Sequence, residues 1–320
     1  MHGRFQRRDS THDLCPYTLK PLSQLEKVTN THIFPHAIGG SLDFAVRADA
    51  GLDSHLGRTL DAGLANCSLI RGYRCLLNIK SRSGETRWKL RGHIEGTPTQ
   101  VEVELDTEGN MRVWVRNPVR CVPGANECTV TCARDETERL ITELVNKWRG
   151  RGQEAKVRAP SPLDAQWLIF KLEFDKTTIA RALLKVAFLA AYWFLGDEWL
   201  SDPLFPEWHR VLFAKDSGEL QAVKLPFQAF GESEEATRAL DMLFPGRSMN
   251  RHCVAVIHTP DVGIVAASIL FGNPLFSVIA LASGTQHYGI PELTGMLAVC
   301  NARLRCTEVV PWRLQHEPES

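Results

Sequence analysis

Apolar and polar positions alternate in two rhythms along this chain, and the change of rhythm divides it. Between residues 67 and 133, "YRCLLNIKSRSG" and "TQVEVELDTEGNMRVWVRNPV" repeat every second residue, which predicts half-buried strands. "DTEGN" holds a Gly and an Asn that tolerate positive φ, so a hairpin turn is expected there. The helical period takes over in "DETERLITELVNKWR" (135–149), whose acids come first and bases last, matching the helix dipole. "GRGQEAKVRAPSP" follows with the Gly, Pro and charge of a linker. A long apolar helix is then expected over about 176–196, followed by the Pro- and Trp-rich turn region "GDEWLSDPLFPEWHR". Trp199, Trp208 and His209 are expected to pack at that helix's end. "HCVAVIHT" and "VGIVAASILFGNPLFSVIALAS" are apolar throughout and rich in β-branched residues, and the inner "GNP" predicts a hairpin within a sheet. Residues 1–66, rich in His, Asp, Gly and Thr, look loop-heavy with one helix at "LDSHLGRTLDAGLAN" (52–66). The expected class is α+β. Its expected segments are 1–66, a β-rich extension with basic strands and an amphipathic helix at 67–158, and a mixed α/β module at 159–320 that targets, senses or oligomerises.

Composition sharpens this picture in three places. The 320 residues are 44% hydrophobic and 23% charged, so a full core is available. Formal charge is zero overall, yet residues 67–91 hold seven cations (Arg71, Arg74, Lys80, Arg82, Arg87, Lys89, Arg91) against Glu85 alone. A phosphate-facing surface has this composition, and so does a solvated basic strand pair. The run "IARALLKVAFLAAYWFLG" is broken by Arg181 and Lys185, which favours a buried core helix over a membrane span. The N-terminal stretch has no apolar signal region, and nine irregularly spaced cysteines fit reduced thiols, so a cytoplasmic protein is expected.

The chemistry concentrates in "TNTHIFPHAIGG" (29–40) and the helix after it. His32 falls at a strand end, and Gly39 and Gly40 allow a sharply turning loop. Asp53 falls near the start of the following helix. A hard divalent cation takes oxygen ligands such as Asp53. A neutral histidine beside it can take a proton from water attacking a phosphodiester. Asp53 as a first-turn helix acid and His32 as a structural group are the plainer alternatives. "CVPGANECTVTC" gathers Cys121, Cys128 and Cys132 but lacks a fourth ligand at zinc spacing, and "GTQHYG" around His287 reads as a loop.

"CPYT…TNTHIFPHAIGG…DSHLGRTLDA" resembles the HNH (ββα-metal, His-Me finger) endonucleases over residues 15–66, about a fifth of the chain. The resemblance implies an N-terminal ββα-metal finger with His32 as general base and Asp53 as metal ligand. It implies a supporting place for Asp43, beside the base. Thr31 stands where a second acidic ligand is usual, with His36, Asp49 or His55 as candidates to compensate and Asp61 as a fold-supporting acid. The zinc knuckles are missing: Cys15 is followed by Thr18 at the knuckle spacing, and Asp49 and Leu52 stand at the second pair, so no structural zinc is expected. The implied activity is hydrolysis of phosphodiester bonds in DNA with Mg²⁺, or Mn²⁺ or Ni²⁺, with Arg58, Arg71, Arg74, Lys80 and Arg82 gripping the backbone. Bacterial defence or a mobile element is the implied setting, with a homo-oligomer or an activating protein left open. The alternative is a finger scaffold that binds nucleic acid or regulates without cutting, and Thr31 is the residue that favours it.

Overall fold

A computed structural model describes residues 12–80, 87–97, 99–108, 110–121, 128–132, 136–150, 168–170, 175–231, 233–284, 286 and 288–313. Arg82, His287, the first eleven residues and nearly all of the expected linker lie outside these residues. The fold is α+β. The chain closes into two units, residues 1–84 with 174–320, and residues 85–173.

In the first unit, strands β1 (Val28–His32) and β2 (Ala45–Asp49) pair antiparallel, with His32 opposite Ala45. Helix α1 (Ala50–Leu56) follows at once, capped by Asp49, whose Oδ1 accepts the Leu52 N–H at 2.8 Å. A π-turn over Gly57–Asp61 joins it to α2 (Ala62–Asn66), and α3 is Ser68–Leu76. That last element corrects the expected strand at "YRCLLNIK". Ile70, Arg74, Cys75 and Leu77 are buried at helical spacing, and Tyr73 stacks on Phe271 with centroids 4.8 Å apart. An alternation this short fits both periods, and tertiary burial selects the helix.

The second unit holds β3 (Trp88–Ile94), β4 (Gln100–Leu105), β5 (Met111–Val115), β6 (Val119–Cys121), β7 (Cys128–Val130), α4 (Thr137–Arg149) and β8 (Leu168–Phe170). Its four-stranded sheet runs β5-β4-β3-β8. The expected hairpin turn is present: Asp106 Oδ1 accepts from the Glu108 and Asn110 N–H groups. The basic strand is neutralised across the ladder, since Lys89 lies 2.8 Å from Glu104 and Arg91 3.3 Å from Glu102. Those cations are therefore not a free phosphate surface.

The chain then returns to the first unit as α5 (Lys176–Leu195), α6 (Phe205–Phe213), α7 (Ser217–Gln221), β9 (Phe227–Ala229), α8 (Glu234–Leu243) and β10 to β14 (Arg251–Thr259, Gly263–Ile269, Ser277–Ser283, Thr294–Asn301, Cys306–Arg313). The antiparallel sheet runs β14-β13-β10-β11-β12-β9. One face receives α5 through Val254, Val256, Ala266 and Val278. The other receives α8 through Leu240 and Phe244 against Cys253, Ala255 and Ile257. Burial on both faces is why "HCVAVIHT" shows no alternation. Helix α5 is the apolar run of the sequence, and 89% of its most apolar window is buried inside the protein, as in the core helix of a soluble protein. Its Arg181 donates to the Val211 and Leu212 carbonyls near the end of α6. The expected Trp packing holds, with Trp199 and Trp208 donating to the Ala282 and Leu281 carbonyls.

The segments expected at 1–66 and 159–320 share one core, which runs from Cys15, Tyr17 and Ile33 through α5 to the sheet. The reason is visible at the double glycine. Gly39 has φ +99°, and a Cβ there would strike the Ala302 carbonyl, while one on Gly40 would strike that of Phe34. His252 locks the same loop to the sheet. Its Nε2 donates to the Ile38 carbonyl at 2.9 Å, and its Nδ1 accepts the Phe271 N–H at 3.1 Å. Burial lowers the His252 pKa to about 4. The unfolded chain, with the ordinary value of about 6.5, binds the proton more tightly, so this contribution is complete above that pH and is lost as pH falls toward the folded value. Stability is expected to drop by about 2 kcal/mol between pH 7 and 5 from this group alone. Urea titrations of wild type and His252→Gln check it, because the variant should lose that part of the pH dependence.

Candidate functional site

His32 closes β1, and the next twelve residues loop back to β2, which puts the following helix alongside the strand end. Asp53 lies in the first turn of α1. Asp61 comes eight residues later and closes the π-turn over Gly57–Asp61. Each bears on the other's neighbourhood. Burial raises the Asp61 pKa above the usual carboxylate range, Lys185 opposes that rise, Asp53 adds to it and His32 counters it.

Lys185 is the residue that decides this site. It projects from α5 with its side chain 2% exposed, and its Nζ donates to Asp61 Oδ2 at 2.7 Å. The other oxygen, Oδ1, is buried and accepts no hydrogen bond. Tyr17 sits behind the acids, and burial, Asp53 and Asp61 hold its phenol protonated well beyond the usual range. Thr31 is buried beside Tyr17, and neither hydroxyl completes a hydrogen bond of normal geometry. Thr31 thus belongs to the buried wall of the site.

The other sequence candidates separate into groups. His36 is 6.0 Å from His32 between ring centroids, but the Arg305 guanidinium lies against its ring, which places it with cations rather than with the acids. Asp43 and His55 are exposed, and the hydrogen bond at Asp43 runs from its backbone N–H to Ser41 Oγ. Asp49 caps α1, and its N–H reaches Cys15 Sγ at 3.3 Å, so a hydrogen bond joins two of the positions where zinc-knuckle ligands were sought. Leu52, a third such position, packs on the core. Arg58, Arg71 and Lys80 are exposed as a phosphate-gripping role requires. Arg74 is not. It is 5% exposed and donates to the Ala65 carbonyl at 3.1 Å, because the helical spacing of α3 turns it inward.

No family model, curated protein or solved structure matches the chain. Its site therefore has to be judged on its own groups. Among the described residues no three His, Cys, Asp or Glu side chains are grouped to hold a metal ion. A small hard cation asks for less, since one or two carboxylates suffice when water and substrate phosphate complete the shell. Asp53 and the buried Oδ1 of Asp61 are the carboxylate oxygens here that such a shell would draw on. Sequence reading passed over Tyr17, Lys185 and Arg305 as site residues. Lys185 did leave a signal, because a cation inside an apolar helix needs a buried partner.

Proposed function

We propose that the protein is a metal-dependent phosphodiester hydrolase of the HNH kind, acting on DNA in the cytoplasm. The observation that carries this reading is His32 at the end of β1 and Asp53 in the first turn of the following helix, both close enough to act on the buried Asp61. His32 takes the proton from the attacking water. Asp53 and Asp61 would hold the divalent cation, which when bound supplies positive charge to the phosphate and the leaving oxygen. Lys185 fixes the Asp61 carboxylate in place from behind. Seven described cysteines are free thiols, in keeping with a reducing compartment.

A second reading has a specific observation in its favour. Lys185 already neutralises Asp61, and Thr31 supplies no charge, which suits a scaffold that binds nucleic acid without cutting it. A supercoiled-plasmid assay in Mg²⁺, Mn²⁺, Ni²⁺ or chelator separates the two. The hydrolase reading expects open-circular product with at least one cation and none in chelator. Intact plasmid under every condition, with duplex binding retained in a gel shift, transfers the assignment to the second reading.

A further inference from the structure

The four-stranded sheet of the second unit has a face that its core does not use. Ile94, Val101 and Val103 are buried on one side, so the residues alternating with them turn to the other. Strand register lays these out in rows. Arg91, Glu102 and Trp114 stand abreast on β3, β4 and β5, and Ile169, His93 and Gln100 stand abreast on β8, β3 and β4. The Arg116 N–H donates to the Gln100 carbonyl at 2.8 Å, which extends the second row to Arg116. Glu102 and Glu104 hold Arg91 and Lys89, yet charge is left over at the end of this face. An open cavity of about 470 Å³ lies there, with Arg91, His93, Thr97, Gln100 and Arg116 in its wall and no acidic residue lining it. Among the described residues Arg116 and His93 enter no ion pair. Trp114, two residues before Arg116 on the same face, is half-buried between the exposed Arg112 and Arg116. No aromatic ring of the described residues packs on it.

We propose that this face of β3, β4, β5 and β8 binds single-stranded nucleic acid, with a base stacked on Trp114 and the adjoining phosphate held in the cavity by Arg116, His93 and Gln100. Side chains two apart on a strand stand about 7 Å from each other, so one nucleotide can reach both Trp114 and Arg116. A single strand fits better than a duplex, because a duplex has already stacked its bases and offers none to the ring. Stacking tolerates any base, and the cavity reads phosphate, so the face holds a strand without choosing its sequence. The assignment does not depend on the chemistry at His32.

Anisotropy of a labelled short oligothymidine and of a duplex of equal length, with the full chain in chelator across a salt series, tests it. Wild type is expected to bind the single strand more tightly than the duplex. Trp114→Ala should weaken single-strand binding about tenfold, and Trp114→Phe should keep most of it. Arg116→Gln should reduce the salt slope by about 0.7. A wild type that binds no oligothymidine, or equal affinity and slope in wild type, Trp114→Ala and Arg116→Gln, overturns the platform. Duplex bound as tightly as the single strand overturns the single-strand assignment. Thymidine monophosphate that competes with the affinity of the strand assigns the cavity to a free nucleotide and overturns it too. Thermal midpoints show whether each variant is folded, and an unfolded Trp114→Ala passes the decision to Arg116→Gln, whose side chain is exposed. A protein that binds the strand and never nicks plasmid keeps this platform and loses the hydrolase reading, whereas nicking with equal binding in every variant loses the platform alone.

Discussion

Lys185→Ala is expected to lose about 3–5 kcal/mol of folding stability, among the largest effects of any single substitution in this protein. The side chain is 2% exposed, and among the described residues its one ion-pair partner is Asp61, whose Oδ2 lies 2.7 Å away. Removing it leaves a mostly buried carboxylate without its cation, and Oδ1 already accepts nothing. The deletion also opens space in the middle of α5, where every neighbouring residue is buried. The charge and the space can be separated. Lys185→Met combined with Asp61→Asn keeps the volume and removes both charges, so most of the stability should return. Urea unfolding with unchanged slope is the measurement. A Lys185→Ala stability within about 1 kcal/mol of wild type would show that the pair does not fasten the π-turn to α5.

His32→Ala is expected to reduce plasmid nicking by about 10²- to 10⁴-fold, the usual contribution of a positioned acid–base group. That corresponds to about 3–5 kcal/mol of transition-state stabilisation. Binding of the duplex should change little, because the exposed cations proposed to contact phosphate, Arg58, Arg71 and Lys80, are retained. His32 also touches the fold, so thermal midpoints must accompany the rates. A folded His32→Ala variant that nicks at the wild-type rate removes His32 from the proposed chemistry and leaves the glycine loop as a structural latch.

The same pair of residues shows how far the sequence could be read. Positive charge at Lys185 argued against a membrane span, and the helix is indeed buried in the core. Which acid it meets was not legible, because Asp61 lies 124 residues away and only the packing of α5 on the π-turn brings the two together. Arg74 failed for a related reason. As part of a strand it would have stood in a basic row, but α3 turns it into the core.

By itself the sequence determined the elements whose signals are local. The strand ending at His32, the glycine loop, the helix carrying Asp53, α4, the long α5 and the β11–β12 hairpin all follow from period, caps and turn residues within a few positions. Tertiary structure alone decided that the glycine loop and the C-terminal sheet share a core, that Asp61 meets Lys185, and that Arg305 reaches His36. Each of these depends on which faces pack together across long stretches of chain, and hydrophobic period says that a face is buried without saying against what.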